Sequence, residues 1–333
     1  MLLGAALALV AHPARGDASW LEFPGDPRQP GQGKHVVLLA GDEEYRSEEA
    51  LPMLAALLSR RHGFRCTVLF AVDPATGHLD PNDQTSLPGS EALDSADLLL
   101  TAVRFRKYPA PIAPRIQAAL SRGVPVVGLR TSTHAFQYPA DSPFAALNDF
   151  GRQVLGETWV SHWGRHGVEA TRGAIEAAHA DHPLLRGVAE IYGDTDVYEA
   201  YPVADAGILL RGAVLSGMSP DASPAGYSKQ RSSDGQTQPV NEPMMPVAWF
   251  REIPRDAAGG AVQRSFCTTM GSATDLRCAD LRRLVVNAVY WGLRLDPPAE
   301  ADVRYAGAYH PSPYAFDGFR RAARPSDMRP REE

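Results

Sequence analysis

The chain has 333 residues, with 33 Lys and Arg against 39 Asp and Glu, a formal charge of −6. A hydrophobic share of 44% and a charged share of 22% suit a compact soluble protein and exclude a disordered chain. The mild acidity leaves no electrostatic footprint for nucleic acid. Cys66, Cys267 and Cys278, with no Cys-x-x-Cys pair, exclude both a disulfide-framed mini-fold and a structural zinc centre.

Leu2 to Val10 is a short apolar run, followed by small residues at Ala14 and Gly16. It is too short for a membrane span, which takes about 20 apolar residues. Residues 1–18 are therefore expected to be a signal peptide, and the protein to be exported to the periplasm or beyond. No Lys or Arg precedes the run, so a bland apolar stub is the alternative. Residues 19–33 read as a linker.

His35 to Ala40 is continuously apolar and ends at Gly41, the pattern of a parallel strand buried on both faces. Ser47 opens a helix with Glu48 and Glu49 in its first turn and Arg60-Arg61-His62 in its last. That charge order suits the helix dipole, and Gly63 stops the helix. Cys66–Val72, Ala96–Val103 and Val124–Leu129 read as further strands, with a helix over Pro114–Arg122. Such alternation predicts a parallel sheet with helices on both faces. From Gly151 to Gly173 the chain reads as a long functional loop with short helical turns. Tyr192–Tyr198, Ile208–Leu215, Pro246–Phe250 and Ala261–Thr268 read as later strands, and Ser219–Glu242 as a polar surface excursion. Leu281–Leu293 has helical periodicity with Arg282 and Arg283 outward. The domain is expected to span 34–296, and 297–333 to be an irregular tail packed on it.

Ligands of doubly wound sheets bind beyond the carboxyl ends of strands, so the strand tips are the first candidates. The first tip, Gly41-Asp42-Glu43-Glu44-Tyr45-Arg46-Ser47, offers Glu44 and Tyr45 to a polyhydroxyl ligand or a cation; an acidic helix start explains it equally. The third ends in Arg104-Phe105-Arg106-Lys107, where Arg104 suits an anionic or carbonyl oxygen and solvated charge is the alternative. The fourth, Gly128-Leu129-Arg130-Thr131-Ser132-Thr133-His134, puts Arg130 where nucleophile elbows carry Cys or Ser. Arginine holds only donors, so it can clamp an oxygen but cannot attack. Thr131, Ser132 and His134 add hydroxyls and an imidazole.

A second cluster, Trp159-Val160-Ser161-His162-Trp163-Gly164-Arg165-His166, sets aromatic planes such as Trp163 among polar groups, as sugar rings require. His162 and His166 stand four apart, a metal-binding spacing on a helix, but Gly164 and Gly167 oppose a helix and no Glu completes the zinc motif. A base or ligand-binding histidine is the preferred reading; no cofactor is expected, with a divalent metal as the minor alternative. Asp196 and Tyr198 alternate on the expected strand end and so point the same way. Thr268-Thr269-Met270-Gly271-Ser272 follows a strand, and Thr269 is a candidate ligand contact.

The order of these motifs resembles the trehalose-utilisation (ThuA-like) family, within the class I glutamine amidotransferase-like superfamily, over residues 34 to 296. The carriers are the Gly41 strand tip, Gly128-Leu129-Arg130, His182-Pro183 with Gly187, Asp196-x-Tyr198 and the Gly271 turn. Trp163, His166, Thr268-Thr269-Met270-Gly271 and Tyr309-His310-Pro311 look like an exported bacterial branch. The resemblance implies a flavodoxin-like doubly wound α/β fold, a mostly parallel sheet, and a link to sugar metabolism including keto-sugars. Arg130 replaces the amidotransferase Cys and no His-x-Glu pair follows, so glutamine hydrolysis is not expected. Many relatives carry His at the Arg130 and Ser272 positions, so any role of those histidines, metal ligation included, does not transfer.

The expected function is an enzyme of carbohydrate or keto-sugar metabolism, a hydrolase, lyase or isomerase. His166 or His162 would be the base, Arg130 the clamp, Asp196 the orienting or acid group and Tyr198 a proton donor. The alternative is a non-catalytic carbohydrate-binding or scaffold protein on a degenerate fold.

Overall fold

A computed structural model describes residues 19–255 and 261–331. Its strands are β1 (Trp20–Phe23), β2 (His35–Gly41), β3 (Arg65–Phe70), β4 (Leu98–Val103), β5 (Val126–Leu129), β6 (Ser161–His162) and β7 (Thr171–Ile175). They continue as β8 (Ile191–Gly193), β9 (Tyr198–Glu199), β10 (Gly207–Val214), β11 (Ser228–Gln230), β12 (Thr237–Pro239), β13 (Met245–Pro254) and β14 (Val262–Thr268). The α-helices are α1 (Ser47–His62), α2 (Ile112–Ser121) and α3 (Ala279–Gly292).

One large sheet runs β1-β3-β2-β4-β5-β14-β13-β10-β7-β8. Its centre, β3-β2-β4-β5-β14, is parallel throughout. Counted along the parallel strands alone this is the 2-1-3-4-5 order of flavodoxin-like folds. From β14 outward the sheet continues antiparallel through β13, β10, β7 and β8.

The unbroken apolar run of β2 is explained by burial on two sides. Val36, Leu38 and Ala40 pack with α1 and α3, whereas Val37 and Leu39 pack with Ala113, Ile116 and Ala119 of α2. Helix α1 begins and ends where its charges and Gly63 predict. Gly63 adopts φ 79°, and an added Cβ would come within 2.5 Å of the Asp26 carbonyl, so the stop signal is steric as well as conformational.

Three expectations are corrected. Residues 20–23, read as linker, form β1 and pair antiparallel with β3. The strand expected over Tyr192–Tyr198 is two short strands, β8 and β9, with Asp194–Val197 between them. Arg282 and Arg283, expected outward on α3, are buried beneath the carboxy-terminal tail. Arg282 donates to the carbonyls of Leu276 and Val303 at 2.7 and 3.0 Å and lies 4.1 Å over the Tyr305 ring. Arg283 donates to Gly187 O and pairs with Asp280. Each guanidinium also finds an acceptor on a distant segment, Val303 O for Arg282 and Gly187 O for Arg283, which helical periodicity cannot register. The expected signal peptide lies outside the described residues, and among those no helix is long and apolar enough to cross a membrane.

Candidate functional site

The carboxyl ends of β2, β4, β5 and β14 meet the 159–166 and 194–198 loops on one rim of the sheet. At the centre stands Arg130, directly after β5. Its φ is +43°, a conformation that side-chain-bearing residues adopt at a cost, and its backbone N–H donates to Met270 O at 3.1 Å. The sharp strand-to-helix turn expected here is therefore present, and a short 3₁₀ turn over Arg130–His134 follows it.

The Arg130 side chain is buried. Nη1 donates to the carbonyls of Asp196 and Thr269, both at 2.7 Å. Nη2 donates to Asp196 Oδ1 at 2.8 Å and to the Tyr45 hydroxyl at 3.1 Å. Its cation is sandwiched 3.8 Å from the Tyr198 ring centroid and 4.6 Å from that of Tyr45. Every Nη hydrogen is thus used within the protein, and Nε has no partner but also no exposed surface. This corrects the clamp role: Arg130 organises the site from below and offers nothing to a ligand.

Asp196 is equally buried and receives three cationic or imidazole partners. Besides Arg130, His162 Nδ1 lies 2.9 Å from Oδ2 and His166 Nδ1 3.1 Å from Oδ1. Burial alone would raise its pKa; Arg130 and the two histidines outweigh burial and hold the carboxyl well below the usual range. Asp196 is therefore an ionised orienting group and not an acid. Because a carboxylate only accepts, each histidine presents Nδ1–H to it. His166 Nε2 also faces Glu44 Oε1 at 2.8 Å. Hydrogen bonds that it donates to Asp196 and Glu44 push its pKa up to about 9, so near neutral pH it is an imidazolium, which corrects the expectation of a base. His162 Nε2 makes no hydrogen bond among the described residues. The two imidazole centroids lie 4.6 Å apart, and both side chains are 35% exposed. They converge from β6 and the turn after it, not from one helix face.

The other expected residues divide. Glu44 and Tyr45 join the site through His166 and Arg130. Tyr198 has its ring under Arg130, and burial drives its hydroxyl pKa upward, so it is a platform and not the expected proton donor. Thr269 contributes a carbonyl to Arg130, while its own hydroxyl is buried without a partner. Thr131 is buried and donates to the Asp42 carboxylate; Ser132 is buried and donates to Thr101 O at 2.8 Å. These two hydroxyls join the strand tips and cannot meet a ligand. Trp163, expected to stack on one, is wholly buried with Nε1 donating to Val240 O at 2.9 Å. Arg104 pairs with Glu43 at 2.5 Å, a carboxylate that it shares with the buried Arg106 at 2.7 Å, so its guanidinium is tied to the rim. His134 lies between Phe105 and Trp159, and burial holds it neutral by moving its pKa well below the usual value.

Sequence reading missed two participants. Tyr314, in the tail, packs against His166, and Lys229, in the polar excursion, donates to the carbonyls of His162 and Trp163 at 2.7 and 3.1 Å. Neither residue has a spacing signal. Trp159 was legible in the aromatic cluster, and its ring, 37% exposed, stands 5.8 Å from His162.

Donor atoms of His162, His166 and Asp196 lie within 4.8 Å of one another and are the group here that could share a metal ion. Each Nδ1 is already committed to Asp196, and Arg130 supplies the neighbouring positive charge, so an ion would have to displace an existing network.

A flavodoxin-like α/β sheet bearing a histidine pair on a buried Arg–Asp bridge at its carboxyl rim defines the class. Solved structures place the fold further. It is similar to a protein described as ThuA-like from Parabacteroides merdae, at 13% identity and a TM-score of 0.50, covering 85% of this chain and 97% of that one. It is similar also to one from Bacteroides uniformis, at 13% identity and a TM-score of 0.51, covering 86% and 99%. The fold is thus that of these solved ThuA-like proteins. No protein-family model and no curated protein matches the chain.

Proposed function

We propose that the protein is an enzyme acting on a carbohydrate or keto-sugar by acid–base chemistry without a covalent nucleophile. The observation that carries this reading is the convergence of two half-exposed histidines on one buried carboxylate. His162 gives Nδ1–H to Asp196 and keeps Nε2 free, the arrangement of a general base held in one tautomer. His166, already protonated and with both N–H groups given to Asp196 and Glu44, stands 4.6 Å away, centre to centre, and holds the two carboxylates around the base while its charge offsets part of theirs. Arg130 balances Asp196 and keeps it ionised. Trp159 offers an exposed aromatic face beside the base, which suits a sugar ring.

The reaction class follows from these roles: proton abstraction next to a carbonyl, leading to elimination or isomerisation. The test is a panel of disaccharides and their keto forms, with product analysis, on the wild type and on His162→Ala and His166→Ala. General acid–base groups contribute roughly 10²- to 10⁴-fold, so each variant should lose at least that order of turnover while staying folded. Undiminished turnover in His162→Ala would remove the base assignment. A second reading, a carbohydrate-binding protein, is favoured by Arg130 filling the elbow; it predicts sugar binding with no product from any panel member.

A further inference from the structure

The tail reaches the histidine pair. Ala315 N–H donates to Glu44 O at 3.0 Å, and Arg46 Nη2 donates to Ala315 O at 2.8 Å. Ser312 N–H donates to the Glu49 carboxylate at 2.7 Å. The segment is therefore pinned along the amino-terminal turn of α1. Between these anchors Tyr314 lays its ring against Tyr45 and His166, with centroid separations of 5.3 and 5.6 Å. Its hydroxyl donates to Asp194 O at 3.2 Å. One side chain thus touches the His166 ring and the loop that delivers Asp196, and the next residue grips the backbone of Glu44.

We propose that Tyr314 is a positioning residue of the site: its ring closes one side of His166 and its hydroxyl fixes the Asp194–Asp196 turn, so that the imidazole is held between Glu44 and Asp196. The role deepens the acid–base reading and rests on it for its catalytic meaning. An imidazole with two carboxylates on its nitrogens needs both held still, because each hydrogen bond weakens steeply with angle. A wall that excludes water also strengthens the attraction, since the local dielectric falls. The groups facing His166 are Glu44, Asp196, His162, Tyr45 and Tyr314, with Arg130 behind Asp196.

The experiment follows the His166 imidazole nitrogens by NMR across pH in the full chain, for wild type, Tyr314→Phe and Tyr314→Ala, with urea unfolding to check folding. Wild type should titrate near 9. Tyr314→Ala should fall toward the ordinary value near 6.5, and Tyr314→Phe, which keeps the ring but loses the bond to Asp194, should lie between them. With a sugar that is turned over, the alkaline limb of kcat should move in the same order while KM changes less. An unshifted His166 titration in folded Tyr314→Ala overturns the proposal, and Tyr314 is then only an anchor for the tail. Should that variant not fold, an unshifted titration in Tyr314→Phe overturns it instead. A shifted titration in a protein that turns over no sugar supports the positioning role while removing the acid–base reading.

Discussion

Arg130 Nη2 lies 2.8 Å from Asp196 Oδ1, and neither side chain reaches solvent. Removing one partner of such a pair leaves a buried charge uncompensated, typically at a cost of about 3–5 kcal/mol. Arg130→Met and Asp196→Asn should therefore each lower stability by about that amount, since each leaves the other member of the pair buried and uncompensated. Asp196 is held below its unfolded value, so its stabilising contribution is present above about pH 4 and is lost as pH falls through its lower folded value. Urea unfolding of both variants between pH 3 and 7 checks the magnitude and the direction.

His166 carries the opposite pH dependence. Its pKa is raised to about 9, so the stability it contributes is complete below about 6.5 and lost as pH rises through about 9. Glu44→Gln removes one of its two carboxylates and should bring the imidazole pKa down, narrowing that window from the alkaline side. An NMR titration of His166 in the variant reads this directly, and an unchanged value would mean that Asp196 alone sets the charge.

Trp163 and Trp159 lie four residues apart and should behave in opposite ways. Trp163 is fully buried, so Trp163→Ala should cost about 3–5 kcal/mol as the loop loses its core anchor. Trp159 is partly exposed beside His162, so Trp159→Ala should change stability by about 0.5 kcal/mol or less and instead weaken sugar binding. Thermal unfolding with and without a bound sugar separates the two effects.

Glu48 supplies a prediction away from the histidines. Burial, partly offset by Arg46 at 3.5 Å, pushes its carboxyl up to about 7, and neither oxygen has a hydrogen-bond partner. The folded state then binds this proton more tightly than the unfolded chain. Its contribution is present below about pH 4.5 and lost as pH rises through about 7. Glu48→Gln should abolish that part of the fall, measurable as a flatter stability profile between pH 4 and 8.

The sequence by itself determined the parallel centre of the sheet. The apolar run over Val36–Ala40, the charge order of α1 and the stop at Gly63 are local signals, because burial on two faces and a helix dipole each leave a periodic trace. It also marked Arg130 as standing at a strand tip and brought His162, His166 and Asp196 into one candidate set. Tertiary structure decided what those residues do. Arg130 turned inward because carbonyls and a carboxylate from segments 66 and 139 residues away meet its guanidinium. Trp163 went to the core and Trp159 to the surface, although composition and spacing treat them alike. Tyr314 entered the site from a tail without periodicity. Long-range hydrogen bonds and charge pairs depend on distances across the fold, and no window of neighbouring residues contains them.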